Sequence, residues 1–294
     1  MPIVVGAVAP HGFPIIPELS EDAEGGLKTR ASMQQMQRDF AAAKPDVVVI
    51  ATPHGFRVNG FISIADCARG AGTMVLGDRK LEMNVPFDLT LADAIVERAR
   101  AANVPVVQVG YGGSNRNQSI MPMDWGTMTP LWFAGQDRDL EGKGHVLASL
   151  FDGLPEDQGP ATVVVQPSRL LPKETNIAFG RAVAEAAQAD ERRIAFIASC
   201  DWAHRHDANH PNGYHPDAKR VDDAVVQAIK DDDIPGLLKL DDETISNAAI
   251  DGLWQLLMLE GVKQVAPLKG TFLSYEAPTY YGMIVATYAP EGGA

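Results

Sequence analysis

A chain of 294 residues with 21% charged and 46% hydrophobic residues is long enough to bury a sizeable core and too apolar to stay disordered. Its formal net charge of −13, without any basic run, argues against a phosphate-backbone partner, so no nucleic-acid role is expected. Two cysteines cannot build a disulfide framework, no apolar run reaches the roughly 18 residues of a membrane span, and no basic leader precedes the first strand; a cytoplasmic protein without a membrane partner is expected, with Cys67 and Cys200 as small core residues at strand ends.

In chain order, Ile3 to Val8 reads as a buried strand that Ala9-Pro10 breaks just before His11-Gly12. A proline-rich loop and a helix over Glu24 to Ala43 follow, with Leu27, Met33, Met36 and Phe40 at helical spacing. Val47 to Ile50 is a β-branched strand that ends in Pro53-His54-Gly55, the tripeptide already met at His11. This strand, helix, strand order predicts parallel pairing. Phe61 to Asp66 and Thr73 to Leu76 read as a strand pair, Arg79 to Phe87 as a further strand, Thr90 to Ala102 as a helix and Pro105 to Gly110 as a short buried strand. A long loop, Tyr111 to Thr129, has the aromatic content of an ordered, site-forming segment, and Pro130 to Phe133 begins the next packed element. His145, in the acidic stretch 134–160, is assigned a surface or structural role. Thr162 to Gln166, Glu174 to Ala189 and Arg193 to Ser199 then alternate strand, helix, strand. The last strand delivers a polar segment running from Ser199 to Asp207, and four of the seven histidines fall between 204 and 215. A helix over Pro216 to Lys230 precedes one over Asp242 to Gly261, whose second half is apolar nearly all round; Glu260 is assigned to its solvated end. Gly270 to Tyr275 and Tyr281 to Tyr288 close the chain as sheet strands. The whole predicts α/β architecture: three layers, with helices on both faces of a mixed, largely parallel central sheet.

Strand ends are where open α/β sheets carry chemistry. In each Pro-His-Gly, proline ends the ladder, and glycine lets backbone or ligand approach the imidazole. Asp251, one turn before Trp254 in an apolar helix, is expensive unless paired or bound to a cation. Two strand-end histidines and one carboxylate form the donor set of a facial triad that holds Fe(II) and leaves positions open; zinc can use the same set. His204, unligated and just beyond a strand, is the candidate for moving protons. Two other readings stand beside this one. His204, His206, His210 and His215 supply the ligands of a zinc hydrolase, or Asp251 hydrogen-bonds to a neighbouring helix and both His-Gly turns are unoccupied.

These motifs resemble the class III extradiol ring-cleaving dioxygenase superfamily, the fold shared by protocatechuate 4,5-dioxygenase β subunits and Memo-like proteins. The resemblance rests on Pro10-His11-Gly12, Pro53-His54-Gly55, Asp124-Trp125-Gly126 with Pro130-Leu131, Asp201-Trp202-Ala203-His204, and an acid three residues before a tryptophan in the C-terminal helix. It spans nearly the whole chain, so residues 1–294 are read as one catalytic domain. It implies metal ligands His11, His54 and Asp251, with His204 as the acid/base residue. Trp125, Asp201 and Trp202 are expected to contact substrate, with Tyr111 and Tyr281 as further candidate walls. The ring-cleaving relatives carry glutamate where Asp251 stands and histidine where Trp125 stands. The implied reaction is Fe(II)-dependent ring cleavage of a catecholic or related aromatic compound by O2; the Memo-like resemblance implies instead a metal- or partner-binding protein without turnover. Either way the expected assembly is a homodimer or higher homo-oligomer, with a small companion subunit in some members.

Overall fold

A computed structural model of the chain describes residues 2–12, 15–20, 25–135 and 160–292. Glu24, where the first helix was expected to begin, and His145 lie outside the described residues. The elements in order are β1 (Ile3–Ala9), α1 (Leu27–Ala43), β2 (Val47–Ala51), β3 (Ile62–Ala65), β4 (Arg69–Leu76), β5 (Arg79–Pro86), α2 (Leu89–Ala101), β6 (Val106–Val109), β7 (Ile120–Pro122), α3 (Trp125–Phe133) and β8 (Ala161–Gln166). They continue with α4 (Lys173–Gln188), β9 (Ile194–Ser199), α5 (Pro216–Lys230), α6 (Asp242–Ala248), α7 (Leu253–Val265), β10 (Leu268–Glu276) and β11 (Met283–Pro290).

Eight strands form one sheet in the order β10-β11-β1-β9-β2-β8-β3-β6. The β1/β9, β9/β2, β2/β8 and β3/β6 pairs are parallel, whereas β11 runs against both its neighbours and β3 against β8. Side chains alternate across a strand, so a strand buried on both faces reads as a continuous apolar run. Val47, Val49 and Ala51 of β2 enter the core packed with α2, α4, α5 and α7, while Val48 and Ile50 enter a second core with α1 and α3. A small sheet, β5-β4-β7, packs into that second core through Met74, Leu81, Met83, Val85 and Met121. The expected pairing of Thr73 to Leu76 with Phe61 to Asp66 is therefore wrong. β3 joins the large sheet, and β4 pairs with β5 and β7. Apolar alternation marks strands without naming their partners.

Two further expectations need correction. The helix predicted over Asp242 to Gly261 is two helices: Ala249 turns left-handed at φ 51°, and α7 begins only at Leu253 and runs on to Val265. Asp251 thus lies in the break between them. Glu260 is buried, and it bonds to Lys263 at 3.4 Å and Gln264 at 3.0 Å. The loop expected through Thr129 likewise ends early, because the Asp124 side chain accepts from the Gly126 N–H and starts α3. Helix α7 is held hard against α4. A Cβ at Gly180 would overlap the Met258 carbonyl, and one at Gly261 would overlap that of Ile177.

Candidate metal centre

Strands β1, β9 and β2 lie side by side and run the same way, so their carboxyl ends deliver His11, the Asp201–His204 segment and His54 to one edge of the sheet. Strand β11 runs the opposite way, and its leading turn brings Tyr280 and Tyr281 to the same edge. From below, the break between α6 and α7 supplies Asp251. One donor atom from each of His11, His54 and Asp251 lies within 4.8 Å of the others.

Hydrogen bonds decide which ring nitrogen each histidine presents. The single Ser199 hydroxyl proton is donated to the Gly126 carbonyl at 2.6 Å, so the 3.0 Å contact between Ser199 Oγ and His11 Nδ1 must carry the imidazole's proton. His54 Nδ1 lies 2.8 Å from Asp124 Oδ2, and His204 Nδ1 lies 3.1 Å from the Ala249 carbonyl oxygen. Both oxygens only accept. In the neutral tautomer that these partners select, each ring holds its hydrogen at Nδ1 and turns a bare Nε2 inward, as metal-ligating histidines do when an outer partner sets the tautomer.

His11 Nε2 lies 3.4 Å from Asp201 Oδ2 and 3.8 Å from Asp251 Oδ2, and His204 Nε2 lies 3.9 Å from the same Asp251 oxygen. These contacts are not ion pairs of a charged His11. Burial, then the neighbouring His54 and His204, hold its pKa well below the ordinary value. Lone pairs face lone pairs, which is repulsive unless a proton or a cation lies between. Without a cation the acids hold protons more tightly than usual. Burial raises Asp251 far above the ordinary carboxylate range, with the Asp201 charge adding to it, and burial raises Asp201 to about 6. Asp251 Oδ1 is buried without a hydrogen-bond partner. Three inward lone pairs and an orphaned carboxylate oxygen fit a divalent cation.

Both glycines of the repeated tripeptide are required by their surroundings. A Cβ at Gly12 would overlap the Tyr281 hydroxyl, and Gly55 is left-handed at φ 97° with Gln166 Nε2 only 2.8 Å from where its Cβ would stand. The backbone N–H groups of His11 and Gly12 both bond to Asp201, which locks the turn to the end of β9. Buried Asp222 accepts from the Ala203 N–H at 3.0 Å, from His206 Nε2 at 2.8 Å and from the Tyr275 hydroxyl at 2.9 Å, fixing the segment that carries His204.

Above the donors lies a cavity of about 490 Å³. His11, His54, His204, Trp125, Tyr280 and Tyr281 line it. Trp125 meets His54 edge-on at 4.9 Å, and Tyr281 stacks on His204 at 5.7 Å. Burial pushes Tyr281 well above the ordinary phenol range, so it stays protonated. Asp201 reaches the cavity. Trp202, expected beside it, is wholly buried in the core against α5 and α7, because alternation turns it to the other face of the strand. Tyr111 is exposed and packs on Phe56 at 6.0 Å instead. The four-histidine reading fails on contacts. His206 is taken by Asp222, His210 stacks on Tyr280 at 3.6 Å, and His215 accepts from the Asp217 N–H at 3.2 Å to cap α5. Sequence reading missed Ser199 and Asp124 as orienting partners and Tyr280 as a wall. The available hints were the Asp-Trp-Gly motif at Asp124 and the place of Ser199 at the head of the polar segment that carries His204.

The family model described as the catalytic LigB subunit of aromatic ring-opening dioxygenase matches residues 6–286. Protein CA_C1420 of Clostridium acetobutylicum is 25% identical over 270 residues, covering 91% of this chain; the chain spans about half, 53%, of that relative's length. A solved structure of an uncharacterized Escherichia coli K12 protein, JW3007, superposes with a TM-score of 0.58 at 15% identity, covering 97% of this chain and 99% of the other. The last likeness is one of fold. Among the described residues no helix is long and apolar enough to cross a membrane.

Proposed function

Since the chain belongs to the LigB family of aromatic ring-opening dioxygenase catalytic subunits, we propose that it is an Fe(II)-dependent extradiol dioxygenase acting on a catecholic or related aromatic compound with O2. The observation that carries this reading is the inward Nε2 of His11 and His54 beside Asp251, with a third bare Nε2, that of His204, 3.9 Å from the same carboxylate. His11, His54 and Asp251 would hold the metal, which would supply Lewis acidity toward adjacent hydroxyls and the one-electron chemistry that O2 requires. Ser199 and Asp124 hold the two imidazoles in the ligating tautomer. His204, fixed by the Ala249 carbonyl, has its Nε2 free to take a hydroxyl proton from a substrate in the cavity. Trp125 and Tyr281 line the same cavity.

Protein loaded with Fe(II) under anaerobic conditions is expected to consume O2 on addition of one or more members of a catechol panel, with the absorbance of a ring-opened semialdehyde. His204→Ala should lower kcat by about 10² to 10⁴ while keeping its metal. Trp125 at the cavity wall, where ring-cleaving relatives carry a histidine, favours a second reading: a metal-binding protein without turnover. Absence of oxygen uptake across the panel by iron-replete protein would decide for the latter.

A further inference from the structure

The cavity beside the metal centre is rich in acceptors. His11, His54 and His204 offer bare Nε2 atoms there, and Asp201 offers a carboxyl group. A ligand oxygen that gives up its proton among these lone pairs becomes an anion, and it needs a cation or a positioned O–H or N–H to stabilise it. Among the described residues, the hydroxyl-bearing side chains that line the cavity are Thr279, Tyr280 and Tyr281. Thr279 bonds to Tyr281, and the Tyr280 ring lies flat on His210 at 3.6 Å. Tyr281 is the one that reaches the turn of a metal-ligating histidine.

Its phenol oxygen takes the place that a Cβ would occupy at Gly12, next to His11, and its ring stacks on His204 at 5.7 Å and 24°. One phenol therefore spans from a ligand turn to the proton-moving histidine. Its backbone is pinned on both sides to the segment that carries His204. The Tyr280 carbonyl accepts from the His206 N–H at 3.1 Å, the Gly282 N–H donates to the Ala203 carbonyl at 3.0 Å, and the Gly282 carbonyl accepts from the Trp202 N–H at 2.9 Å. Tyr281 and His204 thus ride on two paired stretches of chain, and a donor held in this way loses little freedom when it is used. Its hydrogen is also available. The Thr279 side chain bonds to the hydroxyl in the sense that lowers the phenol's pKa, which is that of a donor to the phenol oxygen; burial and the Asp201 charge outweigh this and keep the phenol protonated. Among the described residues no acceptor is bonded to the Tyr281 hydrogen.

We propose that Tyr281 donates a hydrogen bond to an anionic oxygen of the ligand held at the centre, while His204 accepts from the oxygen beside it. The two side chains are a pair of opposite sense: a base that removes a proton, and a donor that holds the negative charge left behind. The Thr279 hydroxyl orients the phenol from its outer side, as Ser199 and Asp124 orient the imidazoles. That the ligand is a catecholic ring rests on the reading above; the donor over the centre does not.

The probe is 4-nitrocatechol, whose ionisation is visible by absorbance, titrated into zinc-loaded protein, so that no turnover is needed. Tyr281→Phe keeps the ring on His204 and is expected to keep its zinc. It should weaken the probe by about tenfold at pH 7 and raise the pH at which the bound probe ionises by about one unit, because a hydrogen bond to the charged form favours that form. Thr279→Val, in which the phenol loses its orienting partner, should move both readings in the same direction, with a loss of affinity of about threefold, and takes the place of Tyr281→Phe if the latter does not hold zinc. Failure of the probe to bind the zinc-loaded wild type, or unchanged binding and ionisation in the zinc-retaining variant, would overturn the proposal. So would a loss of affinity without movement of the ionisation pH, since that is lost packing alone. Binding with the expected pattern in iron-replete protein that consumes no O2 with any catechol would retain the donor and remove the oxygenase reading, so the two failures are separable.

Discussion

The three imidazoles differ from a chance histidine cluster in that the outer nitrogen of each is occupied. Ser199 receives the His11 Nδ1 proton because its own hydroxyl hydrogen is spent on Gly126; Ser199→Ala would leave that ring nitrogen unpaired in a buried place. Outer partners of this kind contribute about 10–100-fold to metal affinity, so the variant is expected to bind zinc that much more weakly, as read by competition with a chromophoric chelator. An unchanged affinity would mean that His11 does not ligate through Nε2. The resemblance drew attention to His11, His54 and His204. It could not say which nitrogen each would present, because a tautomer is set by atoms up to 188 residues away in the chain.

At the scale of elements, the interrupted helix before Trp254 is the decisive feature. The left-handed Ala249 turns its carbonyl toward His204 and stops α6, which frees Asp251 from a helical face to project toward the histidines. An L-residue in that conformation costs about 1–2 kcal/mol. Ala249→Gly is therefore expected to raise stability by about 1 kcal/mol in chemical denaturation without loss of bound metal. Helix α7 is then fixed by its contact with α4, where the facing glycines leave no room for a methyl group. Gly261→Ala should cost about 1–3 kcal/mol through overpacking against the Ile177 carbonyl, whereas Gly113→Ala, with open space around it, should be near neutral.

Across the whole molecule, the centre links stability to pH and to metal. Asp201 and Asp251 are raised above their ordinary range in the metal-free protein, so the folded state holds protons that the unfolded chain releases. Their contribution to stability is complete below about pH 4 and declines as pH rises through the value near 6 of Asp201 and beyond it toward that of Asp251. A cation reverses the sign, since it binds ionised Asp251 and is favoured by rising pH. Thermal unfolding with zinc and with chelator is thus expected to diverge progressively from pH 5 to pH 7. The gap should reach about 2.7 kcal/mol where free zinc is a hundred times its dissociation constant. Equal unfolding curves at pH 7 would show that Asp251 holds no metal.

Local chemistry suffices to mark the strands, the paired Pro-His-Gly turns and the alternation of sheet and helix, because apolar periodicity and proline act over a few residues. It also singles out Asp251 as an acid with no local reason to be among leucines. Three-dimensional packing alone decides the partner of β4, the end of α6, the burial of Glu260 and the turning of Trp202 into the core. Each of these depends on which distant surface an element meets, and a run of residues encodes its own period but not the shape of the surface that will cover it. The metal centre is the clearest instance: its donors come from separate turns, and only the side-by-side, parallel course of β1, β9 and β2 brings two of them to one edge, where the broken helix supplies the third.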